Sequence, residues 1–399
     1  LYDLNSYGQG FDSVFTPIDS VVSPPEKKRE WFNSFSIRGY GQFRYNQLLE
    51  TNKDLKCEQC DRSWGGDGGF FIRRLRIVFS GNIHDRIFFY IQPDFGSAAT
   101  STGLNFGQLR DAYIDVAVDK KKQFRFRIGQ SKVPFGFENL QSSQNRLALD
   151  RNDAINSALA NERDVGLYFM WTPPKIKEVF AEQLLKSGLK GSGDYGVFAF
   201  GVFNGQTANR PEANSNKHVV ARLSYPFQLK KGQIIEAGIQ AYSGKYVLTS
   251  LSDSVKTEVA NFEFKDQRAA ISFVLYPKPF GFQGEYNIGR GPEYNPFTNV
   301  IEEQFLFGGY IQAMYLAEIK KHKLIPFVKL QHYNGGKKHE LDARSYTIRD
   351  IEVGLEWQPI KYFELVANYT ISKRRFEDAV LIDNKQKGGL LRLQAQFNY

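Results

Sequence analysis

From residue 35 onwards, apolar and polar side chains alternate in runs separated by turn-forming stretches. The run FSIRGYGQFRY (35–45) puts Phe35, Ile37, Gly39, Gly41, Phe43 and Tyr45 on one face, and Ser36, Arg38, Tyr40, Gln42 and Arg44 on the other. A period of two is that of a strand whose faces meet different surroundings. The run 71–83 aligns Leu75, Ile77, Phe79 and Ile83 against Arg74, Arg76 and Ser80. Past a two-residue turn, His84–Asp85, the run 86–95 keeps the pattern, so the pair predicts a hairpin. Further runs at 109–118, 123–130, 163–171, 194–203, 218–227, 233–243, 267–276, 280–289, 305–317, 324–333, 346–357, 362–371 and 389–399 bring the expected strands to sixteen. The seventh, 194–203, is apolar on both faces.

The connections alternate too. Those after odd-numbered strands are long, as at 46–69, 131–162 and 244–266; those after even-numbered strands are mostly short, as at 119–122, 277–279 and 358–361. The exception is 172–193, where Ala181, Leu184, Leu185 and Leu189 suggest a short amphipathic helix. Aromatic residues gather at the short-turn ends: Trp171, Tyr225, Phe227, Tyr276, Trp357, Phe363, Phe397 and Tyr399. An even strand count, unequal loops and an aromatic girdle predict an all-β fold, a 16-stranded antiparallel up-and-down transmembrane β-barrel with long extracellular loops. A propeller is disfavoured because no four-strand repeat is visible. A sandwich would bury the apolar faces against each other, and the girdle argues against it. The final run LLRLQAQFNY would pair with the first strand, since an open edge in lipid leaves backbone groups unsatisfied.

Composition sharpens this picture at a few points. The chain has 34 Phe and 21 Tyr, a bias that suits pleated surfaces. No run of about 18 uncharged apolar residues offers a helical span. The formal net charge of +9 admits anionic partners, but no Lys/Arg tract of nucleic-acid type accompanies it. Leu1 in place of Met suggests processing. Cys57 and Cys60, in KCEQCDR, suit a local disulfide; a metal or redox site is the competing reading, and a lone CxxC without a nearby His gives it little support. HExxH, GxSxG and P-loop patterns are missing, so no enzymatic role, cofactor or metal is expected.

The segments FFIRRLRIVFSGNI, YIQPDFG, LRDAYIDVAV, FRIGQSKVPFGFE and NERDVGLYF, all within 70–170, resemble the phosphate-selective porins O and P. Weaker echoes follow in GVFNGQ, GEYNIGRG, GGYIQAMY and IPFVKLQHY. The resemblance implies an outer-membrane porin, usually trimeric, with residues 34–399 as the barrel and the third loop, 131–162, folded inward as a constriction. It matches Arg73 and Arg74 to the family's arginine pair, Arg151 to a loop arginine, and Ser142 and Ser143 to its hydroxyl positions. The family's loop lysines have no match: this stretch offers Asn139, Gln144 and Arg146, with Lys132 earlier in SKVPFG. Residues 1–33 find no counterpart and read as a flexible periplasmic arm, and 172–193 as a periplasmic insertion.

Charge placement points the same way. The polar faces of strands one to five carry Arg38, Arg44, Arg74, Arg76, Arg86, Arg125 and Arg127 against Asp94, Asp111 and Asp115. Those of strands nine to fifteen carry Glu236, Glu285, Asp350, Glu352, Glu356 and Glu364 against Arg268 and Lys329. A closed barrel would then have one positive and one negative arc of wall, and its arginines could hand anions along the bore. The expected function is passive diffusion of small solutes, with small anions such as phosphate preferred, in contact with outer-membrane lipid. The alternative is a structural barrel bound to other envelope proteins in a secretion or assembly complex. Nucleic acid is not an expected partner.

Overall fold

A computed structural model describes residues 35–50, 55, 57, 68–96 and 105–399; the expected arm at 1–33 and Cys60 lie outside the described residues. The strands are β1 (Phe35–Glu50), β2 (Gly69–His84), β3 (Ile87–Asp94), β4 (Gln108–Ala117), β5 (Phe124–Lys132), β6 (Arg163–Trp171), β7 (Phe198–Phe203), β8 (His218–Gln228) and β9 (Ile234–Val247). They continue as β10 (Lys256–Thr257), β11 (Glu263–Leu275), β12 (Phe280–Asn295), β13 (Val300–Tyr315), β14 (Ala317–Ile319), β15 (His322–Gly336), β16 (Ser345–Ile360), β17 (Phe363–Glu377) and β18 (Lys385–Asn398). Setting aside the short β10 and β14, sixteen antiparallel strands follow one another around a closed barrel. Each expected run falls on one of them. Several strands extend past the expected run on the long-loop side: β12 runs to Asn295 and β17 to Glu377.

Closure is made by β1 and β18, with Gly41 opposite Phe397 and Phe43 opposite Ala395. Gly39 and Tyr399 exchange both backbone hydrogen bonds, at 2.8 and 3.0 Å. The two glycines make room for the terminal aromatics. A Cβ on Gly41 would lie 2.4 Å from the Phe397 ring, and one on Gly39 2.5 Å from the Tyr399 hydroxyl.

The apolar face points outward. Ile37, Ile239, Ile271 and Leu393 are exposed, while the alternate positions Tyr40, Gln240, Arg268 and Arg392 are buried. With hydrocarbon outside, this inversion of the soluble pattern is the stable one. Trp357, Tyr225, Phe227 and Tyr399 stand outward at the short-turn end as the girdle requires. Tyr276 does not. It is buried and donates to Glu236 at 2.7 Å, because it lies at the end of β11, where the 172–193 segment covers it.

Two segments enter the bore. The connection after β5 contains α1 (Phe137–Leu140) and α2 (Asp153–Ala158). Asn152 caps α2 by accepting from the Ile155 amide at 3.1 Å. The loop's Phe135, Ile155, Ala158 and Leu159 pack on Tyr168, Met170, Ala199, Phe203, Val220 and Tyr242 of the inner wall. Its Leu147, Ala148 and Leu149 pack on Met314, Ile325, Phe327 and Val366 across the barrel. This explains why the seventh strand is apolar on both faces: Phe198, Phe200 and Val202 face outward, and Ala199 and Phe203 meet the loop. That strand begins at Phe198, and residues 194–197 belong to the preceding connection.

The second segment, 172–193, holds α3 (Pro174–Glu178) followed by a π-helical stretch, Val179–Lys186. Its buried face differs from the expected one. Leu184 and Leu189 pack inward with Val179, Phe180 and Ile176, whereas Ala181 and Leu185 are exposed. Val179, Leu184 and Leu189 recur every five residues, the interval of an i→i+5 turn, and Leu189 N–H donates to Leu184 O at 3.0 Å. Phe137 of the inward loop joins the same apolar cluster, so the two segments meet inside the bore.

Candidate functional site: the charged bore

Consecutive residues of a strand normally face opposite ways, yet Arg73 and Arg74 are both placed at the bore. A bulge is the cause: Gln42 pairs with Arg74 and Phe43 with Ile72, leaving Arg73 as the extra residue. Arg74 is buried and donates to Gln42 Oε1 at 2.9 Å. Arg76 binds Asp94 at 2.7 Å, the Tyr40 hydroxyl at 2.7 Å and Ser143 Oγ at 3.3 Å. Ser143 thereby seats the inward loop on β1 and β2, and its hydroxyl lies 2.6 Å from that of Tyr40. Ser142, half-buried, lines a cavity of about 480 Å³ at the short-turn end, together with Arg38, Tyr90, Lys190 and Glu364. Arg38 is exposed there, 6.0 Å from the Tyr90 ring.

The remaining candidates divide between wall and loop. Arg44 is buried, donates to Gln394 at 2.7 Å and lies 3.7 Å from Asp150. Arg125 pairs with Asp194 at 2.6 Å, tying the wall to the 172–193 connection. Burial raises the Asp194 carboxyl, but Arg125 and the Thr172 hydroxyl bring it down to about 2. Arg127 grips both oxygens of Asp115, at 2.8 and 2.9 Å, and lies 3.9 Å from the Tyr113 ring centre. Lys132 donates to the carbonyls of Asn139, Leu140 and Gln141 at 2.8–3.2 Å. Its ammonium thus holds the C-terminal end of α1. Cys57 is buried beside Leu48, Leu55 and Leu390 and is disulfide-bonded.

At the centre of the positive side stands Glu162, a residue that periodicity did not single out. Its carboxylate meets Arg163 at 2.6 Å, Arg151 at 3.3 Å and Lys132 at 3.6 Å, and also pairs with Arg146. Burial works against its charge, but those four cations hold the carboxyl well below the usual carboxylate range. Arg163 also binds Asp111 at 2.9 Å. A second bulge, where Gln92 pairs with Asp111 and Pro93 with Leu109, brings Arg110 to this side, and it donates to Asn161 O at 3.3 Å. This neighbourhood holds Arg74, Arg76, Arg110, Lys132, Arg146, Arg151 and Arg163 against Asp94, Asp111 and Glu162. Cations exceed anions.

The opposite arc is different. Its acids are matched by cations from the loops and from its own strands: Glu356 with Lys190 at 2.5 Å, Asp350 with Arg374 at 2.6 Å and Glu352 with Arg392 at 2.9 Å. The wall lysine Lys329 takes Glu138 of the loop at 2.6 Å, and Lys337 takes Asp153 at 2.6 Å. Asp150 is shared by Arg44 and Arg392. The expected negative arc is therefore largely neutralised. Most of these groups are also poorly hydrated: Arg44 and Arg392 are 1% exposed and Lys329 0%. Such charges need the partners they have, because unpaired burial is costly. Arg86, expected on the wall, is exposed in the turn and donates to Val118 O at 3.2 Å.

The family model for phosphate-selective porin O and P matches residues 52–399. No curated protein sequence matches the chain. Among solved structures, the chain is similar to the outer-membrane channel DcaP of Acinetobacter baumannii, with 12% identity and a TM-score of 0.55 over 92% of this chain and 97% of that one. It is similar to OmpF of Salmonella typhi, solved with daunomycin, at 12% identity and a TM-score of 0.56, over 92% and 97% of the two chains. An anion-selective porin from Comamonas acidovorans matches at 11% identity and a TM-score of 0.55, over 92% and 99%. At such identities the likeness speaks to the fold.

Proposed function

The chain belongs to the phosphate-selective porin O and P family, a porin of the bacterial outer membrane and a channel rather than an enzyme, and from that premise we propose that it prefers small anions. The observation that carries this reading is the excess of cations around Glu162, between the inward loop and the wall of β2–β6. Guanidinium groups stay charged and offer paired N–H donors to phosphate or carboxylate oxygens. Each is also engaged by a protein carboxylate or carbonyl, so a passing anion meets competition at every step. Weak successive sites release what they bind, which conduction requires. Lys132 is committed to three carbonyls, and the family's loop lysines have no match here. The reading is thus general anion preference rather than selection of phosphate.

A homotrimer passing small solutes goes with the same reading. A second reading, a structural barrel bound to envelope partners, is favoured by one observation: the inward loop and the 172–193 segment meet inside the bore and bury its charges. Planar-bilayer recording separates the two. On the first reading, purified protein conducts, and its reversal potential in a salt gradient shifts towards the anion. Arg74→Glu is expected to reduce that shift. A silent barrel that copurifies with stoichiometric partners supports the second.

A further inference from the structure

The outer wall carries a cationic feature of its own, on the lipid side and separate from the bore. Across β15–β18, one cross-strand row reads His332, Arg349, Lys373, Lys387, each residue opposite the next. One step towards the long loops, Thr347 faces Arg375 and Arg375 faces Lys385. All five Arg and Lys side chains are exposed. Arg375 pairs with Glu377 at 2.8 Å and Lys385 with Asp383 at 2.9 Å. Arg349, Lys373 and Lys387 form no ion pair with any described residue. Like charges directly opposed across strands are destabilising. Elsewhere on the same rim, Lys245 and Lys265 also stand opposite each other, but each meets an acid: Lys245 with Glu263 at 3.3 Å, and Lys265 with Glu303 at 3.6 Å.

The row's height on the barrel gives it meaning. One step towards the short turns, the outward row is Ile351, Ile371 and Gly389, and below it come Val353, Leu355 and Trp357. The nine steps from Ile351 to Ile360, at ~3.4 Å each and tilted ~40°, rise about 23 Å, close to the apolar band of an outer-membrane barrel. Arg349, Lys373 and Lys387 therefore sit at the long-loop edge of that band, at the level of lipid headgroups. A shallow concavity of about 780 Å³ lies over them, reaching from Thr347 to Gly388.

We infer that this row is a binding site for the phosphorylated headgroup of an outer-leaflet lipid. Arg349, Lys373 and Lys387 supply three adjacent strands' cations to the phosphate oxygens, and the acyl chains lie along Ile351, Ile371 and Leu391 below. The bound anion removes the repulsion that the bare row carries. Salt weakens the contact, since the row is exposed.

The test uses full-length protein in neutral detergent, with bound lipid counted by native mass spectrometry. The probes are bisphosphorylated lipid A, its dephosphorylated counterpart and inorganic phosphate. The bisphosphorylated lipid is expected to be retained in preference to the dephosphorylated one. The triple variant Arg349→Gln, Lys373→Gln, Lys387→Gln is expected to bind it about 100-fold more weakly, as the sum of three cation contributions. Lys265→Gln, at a paired position, is expected to leave retention unchanged and so to control for general charge loss. Heat-modifiable gel mobility checks that each variant is folded, and Lys373→Gln alone serves if the triple variant is not. Equal retention of the two lipids overturns the inference, as does a folded variant with unchanged preference. Displacement of the lipid by equimolar inorganic phosphate overturns it too, because it reveals a site for free anion.

Discussion

At the scale of single residues, Glu162 bears the most consequence. It is the shared carboxylate for Lys132, Arg146, Arg151 and Arg163, and no other acid among the described residues meets so many cations. Glu162→Gln leaves buried cations uncompensated, and is expected to cost roughly 3–5 kcal/mol in urea unfolding. The same variant tests the pH dependence. The folded-state pKa lies well below the unfolded value of about 4.3, so the Glu162 contribution is complete above that pH and is lost as pH falls towards the folded value. Wild type is therefore expected to lose stability below about pH 4.3 more steeply than the variant. Strand alternation assigns a face to each arginine of β1–β5, and Arg44, Arg74, Arg76, Arg125 and Arg127 are buried on that face, while Arg86 falls in a turn. The strand acids Asp94 and Asp115, which pair with Arg76 and Arg127, were legible on the same faces, whereas Asp150, Asp194 and Glu162 lie in loops where no period links position to burial.

At the scale of elements, strand periodicity was legible almost throughout, and its failures have local causes. The two-faced apolar β7 was a sign of a loop packed against its inner side. The 172–193 helix turned a different face inward because its wider turn changes the repeat from 3.6 residues to five. The bulge at Arg73 broke alternation by one residue and so delivered two arginines to one side. This gives a discriminating deletion. Without Arg73, Arg74 and Ile72 become neighbours opposite Gln42 and Phe43, which restores regular pairing; the barrel is expected to fold, with one bore cation fewer. Deletion of Leu75 takes up the same extra residue but turns Arg74 outward, opposite Gly41, into the lipid-facing place that Leu75 held. Heat-modifiable mobility in gels is expected to survive the first deletion and disappear with the second.

At the scale of the whole molecule, the barrel closes only if β1 accepts the aromatic end of β18 against bare glycine backbone. Gly41→Val puts side-chain atoms where the Phe397 ring lies and is expected to lower the folded fraction sharply on refolding into vesicles, as read by resistance to protease. That closure was legible from the alternation of the last run, whereas the filling of the bore was not: loop packing across a barrel depends on contacts between distant segments. The seam has a further bearing on the order of events in the cell. Gln42 meets Gln396, 354 positions away along the chain. A ribosome delivers the first edge long before its mate exists, so the edge of β1 that does not face β2 must wait, unpaired and unable to enter lipid, until nearly the entire polypeptide has been made. Holding that waiting edge apart from other chains is a task the barrel cannot perform for itself.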